Sequence, residues 1–338
     1  MRSLICLEPG EFVYKEIEPP LLQPGHAIIK IKRIGICGTD LHAFEGTQPY
    51  FQYPRILGHE LSGVILDLDN KDYFKPSDTV TILPYLNCGV CIACRNGKPN
   101  CCVKIKVCGV HTDGGMVEYY SVPTSALVQS NGLNLDELAL VEPLSIGAHG
   151  IRRANILKDE FVLVIGAGPI GLGTMQFAKI AGANVIALDV NEDRLLFCKQ
   201  LSINHTINAK DENVIERLKE ITNGDMPTVV IDATGNLNAI NNAFQYLAHG
   251  GRYVLIGLQR GDICFSHPEF HKREATLMSS RNATKSDFEF VIDCIKTGLI
   301  DPSIYITHRV QFEEVKDAFE SWLDPANKVI KAIVEIND

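Results

Sequence analysis

Between Phe161-Val162-Leu163-Val164-Ile165 and a helix-patterned stretch from Leu172 to Ala181 stands Gly166-Ala167-Gly168-Pro169-Ile170-Gly171. Glycines at this spacing say little alone. A strand before them, a helix after them and an acid closing the next strand make the pattern specific. Gly166 permits the tight turn, Gly168 lets backbone approach a pyrophosphate, and Gly171 lets helix and strand pack closely. Pro169 and Ile170 complete the turn, where free N–H groups at a helix N-terminus meet phosphate. Asp189 lies 18 residues past Gly171 and closes the strand Val185-Ile186-Ala187-Leu188. A carboxylate there accepts from a ribose 2′-hydroxyl and repels a 2′-phosphate, so the expected cofactor is NAD rather than NADP. Arg194 reads as a solvated helix residue, although it could receive a phosphate.

Around this motif, apolar runs alternate with helical patterns: Phe161–Ile165, Asn184–Leu188, His205–Ile207, Thr228–Asp232, Arg252–Ile256 and Thr276–Ser280. That alternation predicts an α/β, doubly wound parallel sheet of the Rossmann type. The chain before about Ile151 differs, with short β-branched segments such as His26–Ile31 and Thr79–Leu83 bounded by Gly, Pro or Asp. The tail from about Ala283 has helical stretches (Asp287–Thr297, Phe312–Asp324) and ends in the strand-like Lys331–Ile336. It is expected to return to the first region. The predicted domains are thus 1–145 with 283–338, mostly β, and an inserted 146–282.

Composition narrows function by exclusion. Among 338 residues, 46% are hydrophobic and 22% charged, which is ordinary globular usage. Lys and Arg number 32 against 41 Asp and Glu, a formal net charge of −9, so a broad nucleic-acid footprint is not expected. The longest apolar stretch, Phe161 to Leu172, is broken by glycines and is too short to span a bilayer. The opening MRSLICLEPGEF has acid and proline where a leader would be apolar. The expectation is a cytoplasmic, reducing address without membrane partners, where clustered cysteines are metal ligands rather than disulfides.

Eleven cysteines are present, and four are clustered. The run Cys88-x2-Cys91-x2-Cys94-x7-Cys102 suits a closed tetrahedral zinc, a structural role. An iron–sulfur run would place its fourth cysteine closer and follow it with proline. Cys101 is an alternative to Cys102. A second constellation comprises Gly35-Ile36-Cys37-Gly38-Thr39-Asp40-Leu41-His42, Gly58-His59-Glu60 and Val141-Glu142-Pro143-Leu144-Ser145. Cys37, His59 and one carboxylate, Glu60 or Glu142, make a three-ligand zinc with an open position, the pattern of a catalytic site. One thiolate, one neutral imidazole and one carboxylate bring the dication to about zero charge, leaving a metal that still acidifies an alcohol.

In their order, these motifs resemble those of the zinc-dependent medium-chain dehydrogenase/reductase family over essentially the whole chain. Glu142-Pro143 resembles its polyol and threonine dehydrogenase branch. The resemblance implies a GroES-like, zinc-binding catalytic domain beside the Rossmann domain, two zinc ions and NAD, and a homodimer or homotetramer. It leaves open whether Glu60 or Glu142 binds zinc directly. Thr39 is expected to take the substrate proton and His42 to release it to solvent, while Asp40 orients His59. The segments Gln48–Arg55, Gly109–Gly115, Pro268–Lys272 and Ser280–Thr284 resemble those of bacterial NAD-linked hexonate 5-dehydrogenases acting on L-galactonate or L-gulonate. The implied substrate is a small anionic polyol, with Arg281 as carboxylate handle and Tyr50 and His111 as further contacts. The alternatives are another polyol or L-threonine dehydrogenase, or a non-catalytic dinucleotide-binding zinc protein.

Overall fold

The computed structural model describes residues 1–48 and 51–337; Tyr50 lies outside the described residues. The chain forms two compact units, Met1–Ser145 with Ala283–Asp338, and Ile146–Asn282.

The second unit is built on a parallel sheet in the spatial order His205–Asn208, Asn184–Asp189, Phe161–Ile165, Val229–Asp232, Arg252–Leu255, Thr276–Ser279. Val162, Leu163 and Val164 have no exposed surface, because the central strands of such a sheet are covered on both faces and read as continuous apolar runs. Strand order reverses between Phe161–Ile165 and Val229–Asp232, and the glycine turn leaves the sheet at that switch point, where doubly wound folds bind ligands. The strand limits differ from the sequence expectation by one residue at several ends, where hydrogen bonding frays.

The first unit is mostly antiparallel. Arg2–Glu8 lies between Glu11–Glu16 and Arg55–Ile56. A larger sheet runs Leu127–Gln129, Thr79–Ile82, Glu60–Leu68, His26–Gly35, Lys331–Glu335, Ile306–Gln311, with Tyr119–Pro123 also pairing with His26–Gly35. Ala27, Ile29 and Ile31 are fully buried while their neighbours are half-buried, the period-two pattern of a strand with one face on a core. The tail strand Lys331–Glu335 pairs antiparallel with His26–Gly35, setting Ile333 opposite Gly35. The expected helix Phe312–Asp324 is a 3-10 turn, Phe312–Glu314, followed by a helix, Val315–Leu323. A capping box opens the stretch, the Glu314 carboxylate accepting the Gln311 N–H at 2.8 Å, and only its first turn is tightened to the 3-10 form. Among the described residues no helix is long and apolar enough to cross a membrane.

The short helix Gly38–Phe44 is pinned at both ends. At its start the Asp40 carboxylate accepts N–H bonds from Cys37 at 3.0 Å and Gly58 at 3.2 Å. At its end Phe44 stacks on Phe12, ring centroids 5.1 Å apart, and meets Phe319 at 5.2 Å. Phe319 belongs to the tail helix and is fully buried, so the last segment of the chain anchors the helix carrying Thr39 and His42. Phe319→Ala is predicted to lower the unfolding free energy by about 3–5 kcal/mol. Equilibrium denaturant unfolding checks this; a loss below about 1 kcal/mol would mean that the cavity collapses without cost.

Candidate active site and metal centres

Two neighbouring strands of the first unit bring the first cluster together. Gly35 pairs with Glu60 across the strands His26–Gly35 and Glu60–Leu68, so Cys37, two residues beyond, meets His59 and Glu60. One ligand atom from each of the three lies within 4.8 Å of the others. His59 is 5% exposed and Glu60 fully buried. Thiol, imidazole and carboxylate are a donor set suited to zinc, one short of the usual four. His59 Nδ1 is buried without a hydrogen bond and lies 3.7 Å from Asp40 Oδ1. Burial opposes a charge on that ring, yet Asp40 and then Cys37 outweigh it and raise its pKa well above the ordinary histidine value. Negative charge converges on the cluster, as a site for a dication requires. Glu142 is not part of this group.

Glu60 has a second partner that sequence reasoning missed. Lys331, 3% exposed, donates to both Glu60 oxygens at 2.6 Å and to the Ile36 carbonyl at 2.9 Å. Burial works against the ammonium, but Glu60 and then Cys37 overcome it and raise its pKa. Gly35 leaves space for this carboxylate, since a Cβ there would collide with Glu60 Oε2. The available signal was a lysine placed directly before the apolar run Ala332-Ile333-Val334.

Glu142 lies in the first turn of the helix Val141–Ala154 and is 3% exposed. The buried Tyr85 hydroxyl donates to its Oε1. Burial pushes Glu142 up to about 7; His59 pulls it back and the Glu60 charge adds to the rise. Burial, then Glu142, pushes Tyr85 well above the usual phenol range, so it stays a donor. Tyr85 was also missed, because nothing local marks one tyrosine as facing a carboxylate more than fifty residues later.

The sulfurs of Cys88, Cys91, Cys94 and Cys102 lie within 4.8 Å of one another, while Cys101 is exposed and outside the group. Backbone amides point at these sulfurs. Cys102 Sγ accepts from the N–H of Cys88 and of Lys104, each at 3.3 Å. Backbone N–H bonds from Cys94 and Val103 hold Cys91 down at about 6, favouring the thiolate that a metal needs. Burial instead raises Cys94 to about 11. Such a set can hold one metal ion in a closed shell.

In the second unit Gly166 has φ +95°, a left-handed value that side chains disfavour, and a Cβ on Gly171 would strike the Gly166 carbonyl. Gly168 caps the helix Pro169–Ile180, with Pro169 at its first position. Asp189 reaches back to the turn: its Oδ2 accepts the Ala167 N–H at 2.6 Å, and its Oδ1 those of Val190 and Asn191 at 2.7 and 2.9 Å. Its carboxylate is thus fixed beside the glycines. Arg194 is partly buried on the following helix rather than solvated; burial lowers its pKa while Asp189 opposes the shift.

The other candidates occupy more open positions. Thr39 is half-buried, and exposed His42 lies one turn later on the same helix. His42 Nδ1 is 3.3 Å from Glu45 Oε2 and 3.2 Å from Thr47 Oγ1. His111 is exposed, its Nδ1 accepting the Val107 N–H at 3.2 Å. Arg281 is exposed, two residues beyond the strand Thr276–Ser279.

Comparison with known proteins shows the family. Residues 23–132 match the alcohol dehydrogenase GroES-like domain, and residues 169–297 match the zinc-binding dehydrogenase domain. The chain is 42% identical over 335 residues to L-galactonate-5-dehydrogenase of Escherichia coli (strain K12), covering 99% of this chain and 98% of that one. It is 28% identical over 345 residues to sorbitol dehydrogenase of Bacillus subtilis (strain 168), covering 100% and 98%. A crystal structure of short chain alcohol dehydrogenase (rspB) from E. coli CFT073 complexed with NADH superposes with TM-score 0.93 at 30% identity, covering 99% of both chains. The chain belongs to the zinc-type alcohol dehydrogenase family of medium-chain dehydrogenases/reductases, and it is an oxidoreductase.

Proposed function

We propose that this protein is an NAD- and zinc-dependent hexonate dehydrogenase, oxidising a secondary hydroxyl of L-galactonate or L-gulonate at C5 to a ketone. The observation that carries the reading is the cluster of half-buried Cys37 with buried His59 and Glu60, in a chain 42% identical to an L-galactonate-5-dehydrogenase. In this reading 1–145 with 283–338 is the catalytic domain and 146–282 the dinucleotide domain. Cys37, His59 and Glu60 hold the catalytic zinc; Cys88, Cys91, Cys94 and Cys102 hold a structural one. Zinc would supply Lewis acidity to the substrate hydroxyl, and the nicotinamide the hydride acceptor.

The chain's own residues do the rest. Asp40 fixes the backbone of Cys37 and Gly58 and lies behind His59, holding that ring's orientation. Thr39 accepts the hydroxyl proton, and His42, exposed one turn on, releases a proton to solvent. Lys331 keeps Glu60 from adding a full uncompensated charge. Gly166, Gly168, Pro169, Ile170 and Gly171 receive the pyrophosphate, and Asp189 the adenosine ribose. Arg281 and His111 are the proposed carboxylate and polyol contacts, together with Tyr50. The strand Thr276–Ser279 ends its sheet with Thr276, Leu277 and Ser279 exposed, a bare edge that fits pairing in a homodimer or homotetramer. Sorbitol dehydrogenase, matched over the whole chain, favours a neutral polyol as the second reading.

NADH formation with L-galactonate, L-gulonate, sorbitol, galactitol and L-threonine separates the readings. Turnover confined to hexonates is expected; turnover confined to a neutral polyol would remove the carboxylate handle. Cys37→Ala is predicted to lower kcat/KM more than about 100-fold, since groups that merely support a metal ligand are worth 10–100-fold. An active Cys37→Ala protein would end the zinc scheme. Asp189→Ala is expected to raise the KM for NAD⁺ about 10–100-fold while NADP⁺ use improves, through loss of a charged hydrogen bond. Unchanged NAD⁺ kinetics would show that Asp189 serves the turn alone.

A further inference from the structure

We propose that Tyr85 is a positioning residue for this reaction: its hydroxyl fixes the Glu142 carboxylate beside the Cys37–His59–Glu60 cluster, held there by the ribbon that closes the four-cysteine lobe. The inference rests on the zinc reading of that cluster, and not on which alcohol is oxidised.

Tyr85 is 5% exposed and Glu142 3%. A buried carboxylate must find donors within the protein, and the phenol supplies one to Glu142 Oε1. Glu142 is close enough to His59, Glu60 and Lys331 to feel their charges, and Tyr85 feels Cys37 and Glu60. Two carboxylates therefore face one small cluster, each with its own restraint. Lys331 holds both oxygens of Glu60, and Tyr85 holds one oxygen of Glu142. Without the phenol, Glu142 is free to turn toward the cluster and compete for its open position, or to withdraw from it.

The phenol is itself fixed. Tyr85–Leu86 pairs antiparallel with Lys106–Val107, Tyr85 opposite Val107, and Cys108 N–H donates to the Pro84 carbonyl at 3.0 Å. Three residues after Tyr85 comes Cys88, and four residues before Lys106 comes Cys102. The Cys88 N–H donates to Cys102 Sγ at 3.3 Å, so the two arms of the ribbon are clamped where the four thiols meet. The closed lobe is thus one of the restraints on the ribbon that carries the tyrosine.

The test compares Tyr85→Phe, Glu142→Ala and the double variant in zinc-loaded protein. Two quantities are read: steady-state kcat and KM, and the rate at which the chelator dipicolinate removes the more labile zinc. Tyr85→Phe is expected to lower kcat about 10–100-fold, the range for groups that support a metal site. The KM for NAD⁺ stays within about twofold, zinc release changes at least about fivefold, and the less labile zinc is retained. In the double variant the Tyr85 change adds nothing to Glu142→Ala, because a residue acting only through another is non-additive with it. That variant also leaves no buried carboxylate orphaned, so it remains informative if Tyr85→Phe alone folds poorly. Wild-type kcat and zinc release in Tyr85→Phe, or effects that add in the double variant, overturn the proposal. The zinc-release arm needs no substrate, so a wrong hexonate assignment leaves it readable.

Discussion

A lysine with almost no exposed surface grips a carboxylate across a strand, at the one position there that lacks a side chain. Lys331 and Glu60 lie on the two strands flanking His26–Gly35, and they meet over Gly35. Removing one partner of a buried pair of this kind costs about 3–5 kcal/mol, because the survivor is left charged and unpaired. The pair also fixes register, since slipping any of the three strands by one residue would turn Glu60, Gly35 or Lys331 to the other face. Cys37 and His59 take their places from that register. The tail of the chain thereby becomes part of the site, although its residues carry no motif.

The same economy governs the helix Gly38–Phe44. Seven residues are too few to hold a helix alone, so its direction comes from its ends. Asp40 ties its start to Gly58, next to His59, and Phe44 ties its end to Phe12 and Phe319. An apolar cluster thus sets where Thr39 and His42 stand. Stability and chemistry are linked here through packing, and weakening the aromatic cluster loosens the segment on which the proposed proton path depends.

Much of this was legible in the sequence where the information is local. The parallel sheet follows from apolar runs such as Val162–Val164 alternating with helical patterns, and the glycine turn from residues 166–171. The four-cysteine lobe is written in fifteen consecutive residues, and the structure gathers the sulfurs of Cys88, Cys91, Cys94 and Cys102. Cys37, His59 and Glu60 come from two segments and were joined by motif and chemical type. How the two glutamates are held could not be read at all, because Glu60 is paired with Lys331 and Glu142 with Tyr85. Their roles arise from strand pairing and burial across 271 and 57 residues of sequence, and neither periodicity nor spacing carries that information.

Two separate donor sets on the first unit are proposed to bind zinc, one closed and one open to an alcohol. Anomalous diffraction from crystals of the zinc-loaded protein, recorded on both sides of the zinc absorption edge, tests this proposal directly. Two peaks per chain are expected, one among Cys88, Cys91, Cys94 and Cys102 and one joining Cys37, His59 and Glu60. A single peak at the four cysteines, with Glu60 still bound only to Lys331, would contradict it.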